Sequence, residues 1–376
     1  MTAAIAPFPY HKALITVVAL LTTIGLIAIY AASSLKGAQQ FGDEFLFFRK
    51  QTVAAIVGFS VVFGMQSVPF RWIERATLPL LGVAFFLLAL IFVPGMYTKV
   101  GGASRWLNLP FIGGQPSELA KLALVLFLAK NLSRPQSDMA NFQRGILPNL
   151  VVFLAITGLL LVQKDLGTPV LLFVVTFLML FAAGVSRKFI VGAFASFVAA
   201  ICLAVIFEPY RVARITSFLH PWDNVTGSGF QIIQSFVAFQ NGGLFGAGLG
   251  ESKQKLFFLP EAHTDFILSV IGEELGLVGV ALICLSFMTL CWFGFKIADQ
   301  QNAPYRRFLA FGLTMLIAMQ CIINMAVAMG LLPTKGMPLP YVSSGNSSLL
   351  VFLLVSAILA RLGRDSSGEK HHAGKP

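Results

Sequence analysis

The residues best equipped for chemistry lie in Leu259–Glu274, LPEAHTDFILSVIGEE. Glu261, His263, Thr264 and Asp265 form a polar cluster that runs directly into a long apolar helix, and Glu273 and Glu274 lie inside that helix. Eight residues of α-helix rise about 12 Å, so the second carboxylate pair sits well below the first. Acidic groups at such depth in lipid are costly and survive where they face a cavity, a partner or a substrate. Proton transfer by a carboxylate is the chemistry such a cluster offers. A plain alternative is that Thr264-Asp265 caps the helix and compensates its dipole. The stretch by itself leaves both readings open.

The elements that must hold these residues are membrane spans. The chain of 376 residues is 57% hydrophobic and only 11% charged, with a mean hydropathy of +0.81, far more apolar than a soluble domain. Apolar runs of roughly 17–25 residues fall near 13–33, 50–67, 77–95, 116–132, 147–163, 168–185, 188–207, 266–294, 307–330 and 346–362. The expected fold is therefore an all-α polytopic membrane protein. It has ten transmembrane helices in a single domain over 1–376, one large extracytoplasmic loop at about 208–265, and a disordered tail at about 365–376. The first span is too long for a signal-peptide core and reads as a retained anchor. Cys202, Cys284, Cys291 and Cys321 all sit in apolar runs and read as buried free thiols. The histidines are scattered and suggest no zinc site.

A net charge of +11 would suit nucleic acid, but the charges are sorted by side. Arg71, Arg75, Lys130, Arg134, Arg144, Arg187, Lys188, Lys296, Arg306 and Arg307 fall in loops of one side, with Lys12 and the tail residues Arg361, Arg364, Lys370 and Lys375. By the positive-inside rule that side, with both termini, is cytoplasmic. A second set, including Lys36, Arg49, Lys50, Lys99, Arg105, Lys121, Lys164, Arg211, Arg214, Lys253, Lys255 and Lys335, lies on or near the outer side. Snorkelling accounts for Arg49 and Lys50. It accounts poorly for Lys121, because Glu118 lies one turn before it on the same face. That pair is a structural bridge or part of a polar pocket. Outer cations suit an anionic ligand such as a phosphate-bearing lipid.

The loops carry further candidates. Val100–Gln115 is Gly-rich with Arg105-Trp106 at its centre, an interfacial anchor or something more. In Gln163-Lys164-Asp165-Leu166-Gly167-Thr168, Asp165 and Thr168 read as caps of the next helix. Phe230–Gln240 is an amphipathic helix, with Phe230, Ile233, Phe236 and Val237 on one face and Gln231, Gln234 and Ser235 polar, expected at the membrane surface. The run Gly242–Gly250 lacks the surroundings of a dinucleotide fingerprint and reads as tight turns and close backbone approach. Three prolines in Leu332–Pro340 hold Lys335 in a rigid turn. Ser343, Ser344, Ser347 and Ser348 then open the last span, where hydroxyls cap a helix or donate to phosphate oxygens.

As a set these motifs resemble the SEDS family (shape, elongation, division, sporulation) of peptidoglycan glycosyltransferases, over roughly 12–363. The carriers are Gly102–Trp106, Gln115–Lys121, Gly229-Phe230-Gln231 with Gln234-Ser235, Leu259–Phe266 and Gly272–Gly276. Leu259–Phe266 and Leu332–Gly336 look more like the division-type FtsW branch than the elongation-type RodA branch. Lys164, where the family usually has Pro, and Gly345-Asn346, where it usually has Gly-Gly, depart from the pattern.

The resemblance implies a reaction on the outer face of the bacterial inner membrane, for septal wall synthesis. The 4-hydroxyl of one lipid II sugar attacks the anomeric carbon of another with inversion, and undecaprenyl pyrophosphate leaves. Asp265 matches the family's essential aspartate and is the expected base. Arg105, Lys121 and Lys335 are candidates for the leaving pyrophosphate. Glu118 would orient Lys121, Glu261 would shape the cleft, and His263, Gln234, Ser235, Ser347 and Ser348 join the substrate-binding set. The spans near the fourth and tenth helices would hold the polyprenyl chain. A divalent cation, Mg or Mn, is admitted, with no metal ligands identified; no organic cofactor is expected. The implied partners are a class B penicillin-binding transpeptidase and other divisome proteins, and no nucleic acid. A lipid II flippase and a non-catalytic divisome scaffold are the readings from other classes. Polar motifs concentrated on one face speak against the first, and buried carboxylates against the second.

Overall fold

Long apolar segments have one stable form in lipid, helices that satisfy their own backbone. The computed structural model describes residues 8–100, 103–107, 114–135, 141–207, 209–225, 227, 229–252 and 262–373, with the side chains at 99, 100, 103, 104, 209, 210 and 366–373 outside that description. The helices are α1 (Tyr10–Phe41), α2 (Leu46–Met65), α3 (Phe70–Leu90), α4 (Pro116–Leu132), α5 (Leu147–Val162), α6 (Gly167–Ala182), α7 (Arg187–Ile206), α8 (Pro209–Leu219), α9 (Phe230–Gly242), α10 (Ile267–Asp299), α11 (Pro304–Ala328) and α12 (Asn346–Ala373). Two short strands, β1 (Tyr97–Val100) and β2 (Ala103–Leu107), make an antiparallel hairpin before α4.

Among the described residues eight helices are long and apolar enough to cross a membrane: α1, α2, α3, α5 with its leading π turn, α7, α10, α11 and α12. The protein is an all-α, multi-pass membrane protein. The two remaining expected spans correspond to shorter helices, α4 with 17 residues and α6 with 16. α4 carries Glu118 and Lys121, yet most of its side chains are buried inside protein, so it need not be apolar all round. α12 continues through Ala373, into the stretch read as tail.

The core is built around α11, which packs against α4, α6 and α10, while α12 packs against α1 and α2. Leu309, Leu313 and Leu316 of α11 are fully buried there with Leu122 and Leu128 of α4 and Leu172 of α6. α7 buries none of its residues. That placement corrects the reading of all four cysteines as buried: Cys202 is exposed on α7, Cys284 and Cys291 on α10 are half-buried, and Cys321 on α11 is buried, with all four thiols free.

α10 is broken at Gly276, with φ 65° and ψ −163°. Such a break strips carbonyls on one side and amides on the other of their helical partners. The Gly-rich run after α9 supplies replacements. Ala247 N donates to Glu273 O at 2.9 Å and Gly248 N to Glu274 O at 3.1 Å, while Leu277 N and Val278 N donate to Gly243 O and Leu244 O at 2.9 and 3.2 Å. A Cβ on Gly242 would stand 1.9 Å from Gly272 O, so glycine is required for this approach. Glu273 accepts from the Ser252 hydroxyl and from Asn241 Nδ2. It therefore holds the loop onto the broken helix.

α9 corrects the expected surface helix. It packs on α10 and buries Ile232, Ile233, Ser235 and Ala238. The Ser235 hydroxyl bonds Ser269 Oγ at 2.6 Å and the Ala328 carbonyl, so a residue expected on the polar face is buried with its hydrogen bonds made.

Gly276→Ala tests the break. A Cβ there would fall 2.4 Å from Gly246 N and 2.5 Å from Leu244 O, at a φ/ψ that non-glycine residues reach only at a cost of about 1–3 kcal/mol. Thermal unfolding in detergent should show a clear loss of stability for this variant. Gly64→Ala, where a Cβ meets open space, should unfold close to wild type.

Candidate active site

The loop joining α11 to α12 carries Pro333, Pro338 and Pro340. Proline lacks an N–H and cannot continue a helix, so this segment is an irregular strand of chain, neither helix nor β-strand, and its carbonyls need donors from elsewhere. Arg214 Nη1 reaches Thr334 O at 2.9 Å. Asn324 Nδ2 reaches Met337 O at 2.7 Å, and Gln320 Nε2 reaches Pro338 O at 2.9 Å. Gln51 of α2 holds the far end, donating to Ser343 O at 3.2 Å and accepting from Gly345 N at 3.1 Å.

Asp265 lies across this strand. Its Oδ2 is 3.2 Å from where a Cβ on Gly336 would stand, so the carboxylate packs on the backbone beside Lys335. Asn324 Nδ2 also donates to Asp265 O at 3.0 Å, so one amide holds both the aspartate and the strand it faces. α10 begins at Ile267 with Phe266 at the N-cap position and no side-chain capping bond. Asp265 thus stands one residue ahead of the cap, half-buried. His263 is fixed by Ser344 N donating to its carbonyl at 2.9 Å, and its ring lies 4.9 Å from the Phe47 ring.

One turn into α4, Lys121 Nζ donates to Glu118 Oε1 at 2.8 Å and to Gln320 Oε1 at 2.5 Å, 5.2 Å above the Phe352 ring. Lys121 and Glu118 are 2% and 4% exposed, and a cation so buried persists because its bonds and its ion pair compensate desolvation. Glu118 Oε2 finds no partner among the described residues. Gln320 also grips Pro338 O, so Lys121 is tied to the strand that Asp265 faces.

A second charged group lies near enough to Lys335 to act on its charge. Asp165 Oδ1 accepts from Gly167 N at 3.0 Å and Thr168 N at 3.3 Å, the capping role expected of it. Arg105 on β2 lies 4.0 Å from the same oxygen and donates to Lys164 O at 2.5 Å. Lys164 has φ +61°, which proline cannot adopt, so the departure from the family pattern coincides with a turn closed to proline. Burial pushes the Lys335 ammonium pKa down; the Asp165 carboxylate partly restores it, and the Arg214 guanidinium lowers it further.

Asp265, Lys335, Arg105, Lys121, Glu118 and His263 are therefore all tied to one strand or to its immediate partners. Ser347 accepts from Gln115 N at 3.3 Å and joins the starts of α12 and α4, and the buried Ser348 hydroxyl has no partner among the described residues. Ser235 is spent on helix packing, and Gln234 is half-buried on the same turn of α9. Glu261 lies outside the described residues. No group of three or more His, Cys, Asp or Glu among the described residues could hold a metal ion, so no step is assigned to Mg or Mn. Sequence reasoning missed Gln51, Gln320 and Asn324. Their one signal is an amide inside an otherwise apolar span.

The geometry can be set beside known proteins. The family model for cell cycle proteins of the FtsW/RodA/SpoVE type matches residues 11–368. A protein of Geobacter sulfurreducens named "Probable peptidoglycan glycosyltransferase FtsW" is 42% identical over 359 residues, 96% of each chain. Stage V sporulation protein E of Bacillus subtilis is 40% identical over 354 residues, 94% of this chain and 96% of that one. The rod shape determining protein RodA of Thermus thermophilus superposes with a TM-score of 0.69 at 28% identity, covering 94% of this chain and 96% of that one. A chain from a peptidoglycan synthase complex, solved for the coordination of polymerization and crosslinking, superposes with a TM-score of 0.78 at 28% identity over 94% and 98%. With a family model spanning nearly its whole length and relatives above 40% identity, the chain belongs to the FtsW/RodA/SpoVE family of membrane-embedded cell cycle proteins.

Proposed function

We propose that this protein polymerises peptidoglycan glycan strands by inverting glycosyl transfer between lipid II molecules, with Asp265 as the general base. The observation that carries the reading is the Asp265 carboxylate packed on Gly336 beside the cationic Lys335. The relatives named peptidoglycan glycosyltransferase support the reaction class. A sugar hydroxyl is a weak nucleophile at neutral pH, and a carboxylate within reach takes its proton as it attacks. The acceptor oxygen bonds to the anomeric carbon of the donor as the bond from that carbon to the phosphate oxygen breaks. The proton goes to Asp265 and the electron pair leaves with undecaprenyl pyrophosphate. Direct displacement inverts the carbon and needs no covalent intermediate. Lys335 and Arg105 supply positive charge where the pyrophosphate charge develops, and the buried Lys121–Glu118 pair is linked to the same segment through Gln320.

Side-specific charge supports an outward-facing site with both termini cytoplasmic. Arg361 Nε donates to Val68 O, Arg364 Nη1 to Gln66 O, and Arg306 pairs with Asp365, so the basic ends of α2, α3, α11 and α12 gather at one face of the bundle. The site's own cations lie toward the other face: Arg105 on β2, Lys121 near the start of α4 and Lys335 in the loop after α11. A division role and a class B penicillin-binding transpeptidase as partner fit the FtsW relatives and the likeness to a chain from a synthase complex.

Polymerisation of lipid II by the purified protein, with and without its transpeptidase, tests the reading. Wild type should make polymer, and Asp265→Asn at equal folding should lose about 10²–10⁴ in rate. Polymer at equal rates from both would remove Asp265 from the mechanism. No polymer from wild type beside an active partner would favour the flippase or scaffold. A second expectation concerns pH. With its pKa lowered, Lys335 loses its proton at a lower pH than an ordinary lysine, so the rate should fall on the alkaline side below the usual lysine range. Lys335→Arg, which keeps its proton, should move that alkaline limb upward.

A further inference from the structure

At the face of the bundle opposite the Asp265 cluster lies a cavity of about 350 Å³ that the glycosyl transfer does not use. It is lined by Phe70, Arg71 and Glu74 of α3, Ser133 after α4, and Tyr305 and Arg306 of α11. Two helices begin at its wall. α3 follows Pro69 and α11 follows Ala303, and neither has a side-chain cap. The first-turn N–H groups of both helices therefore add the positive ends of two dipoles to two arginines. Arg306 stacks 4.8 Å over the Phe70 ring and pairs with Asp365 at 3.9 Å, which fixes its guanidinium at the cavity edge. The level is that of a membrane interface: Trp72 is exposed beside the cavity with Arg75 5.6 Å from its ring.

Two arginines, two helix starts and two carboxylates, Glu74 and the Asp365 that pairs with Arg306, make an uneven but specific field. The cations suit a phosphate diester. Glu74 would repel a purely anionic ligand and suits an ammonium group a short reach away. We propose that this cavity is a binding site for the zwitterionic headgroup of a membrane phospholipid of the phosphoethanolamine class. The phosphate lies toward Arg71, Arg306 and the start of α11, and the primary ammonium toward Glu74. Membrane lipid is the occupant because the cavity lies among the ends of α3, α4 and α11, level with the exposed Trp72 of the interface, and its cations complement a phosphate. A primary ammonium donates hydrogen bonds to a carboxylate, whereas a trimethylammonium cannot. Specificity by headgroup follows from that difference.

The test is lipid retention by the full-length protein in detergent, read by native mass spectrometry during titration with phosphatidylethanolamine, phosphatidylglycerol or phosphatidylcholine. Wild type should retain phosphatidylethanolamine about tenfold more tightly than phosphatidylcholine, the worth of one charge-assisted hydrogen bond. Glu74→Gln should erase that preference, and Arg71→Ala should weaken retention of all three lipids. Arg75→Ala, outside the cavity, should match wild type. Equal retention of the three lipids, variants indistinguishable from wild type, or phosphatidylglycerol held above phosphatidylethanolamine would each overturn the assignment. So would displacement by soluble phosphoethanolamine at the same concentration, which would point to a soluble phosphate compound.

Discussion

The site depends on a strand that cannot satisfy itself. Prolines 333, 338 and 340 deny the segment after α11 a helix, and its carbonyls lie inside the protein, where each unpaired one would be costly. Buried amides and a guanidinium meet that demand: Arg214 for Thr334, Asn324 for Met337, Gln320 for Pro338, Gln51 for Ser343. Two of these donors are shared with the reactive groups. Asn324 also holds the Asp265 backbone, and Gln320 also accepts from Lys121. The need to satisfy a proline-rich backbone and the need to hold Asp265 and Lys121 in place are met by the same two side chains, one turn apart on α11.

The helices serve that strand. α11 is central because it must present Gln320 and Asn324 from within the core, 0% and 2% exposed. α10 can carry Asp265 on its leading edge because its lower break at Gly276 is closed by the Gly-rich loop, with Glu273 accepting from that loop. α4 and α6 are short, and their starts deliver Glu118, Lys121 and the Asp165 cap to the same level. Side chains locked in this way by packing and shared hydrogen bonds are preorganised before any ligand arrives.

The multi-pass class and the Glu118–Lys121 pair were legible from local pattern, long apolar runs and an ion pair one turn apart within one of them, whereas the stretch around Asp265 left capping and chemistry both open, and only the family resemblance chose between them. Asp165 as a cap was legible from its neighbours alone. Gln51, Gln320 and Asn324 were not, because an amide in a span looks like a tolerated polar residue until its partner is known. Those partners are backbone carbonyls as far as 292 residues away. The placement of α9 was misread for a related reason. Its periodicity gives a face but not what covers it, and Ser235 is covered by Ser269 and Ala328. The hairpin β1–β2 went unseen because Gly-rich sequence reads as loop, yet it is what carries Arg105 to Asp165.

If Asn324 matters to turnover through Asp265 and the strand it faces, the two residues must act as a unit. A double-mutant cycle measured by lipid II polymerisation asks this directly, with Asn324→Ala, Asp265→Asn and the double variant compared at matched folding. The account predicts that Asn324→Ala costs about tenfold or more in rate alone and adds little in the Asp265→Asn background, the non-additivity of residues serving one step. Fully additive losses would mean that Asn324 acts independently of Asp265, and the shared-amide account of the site would be wrong.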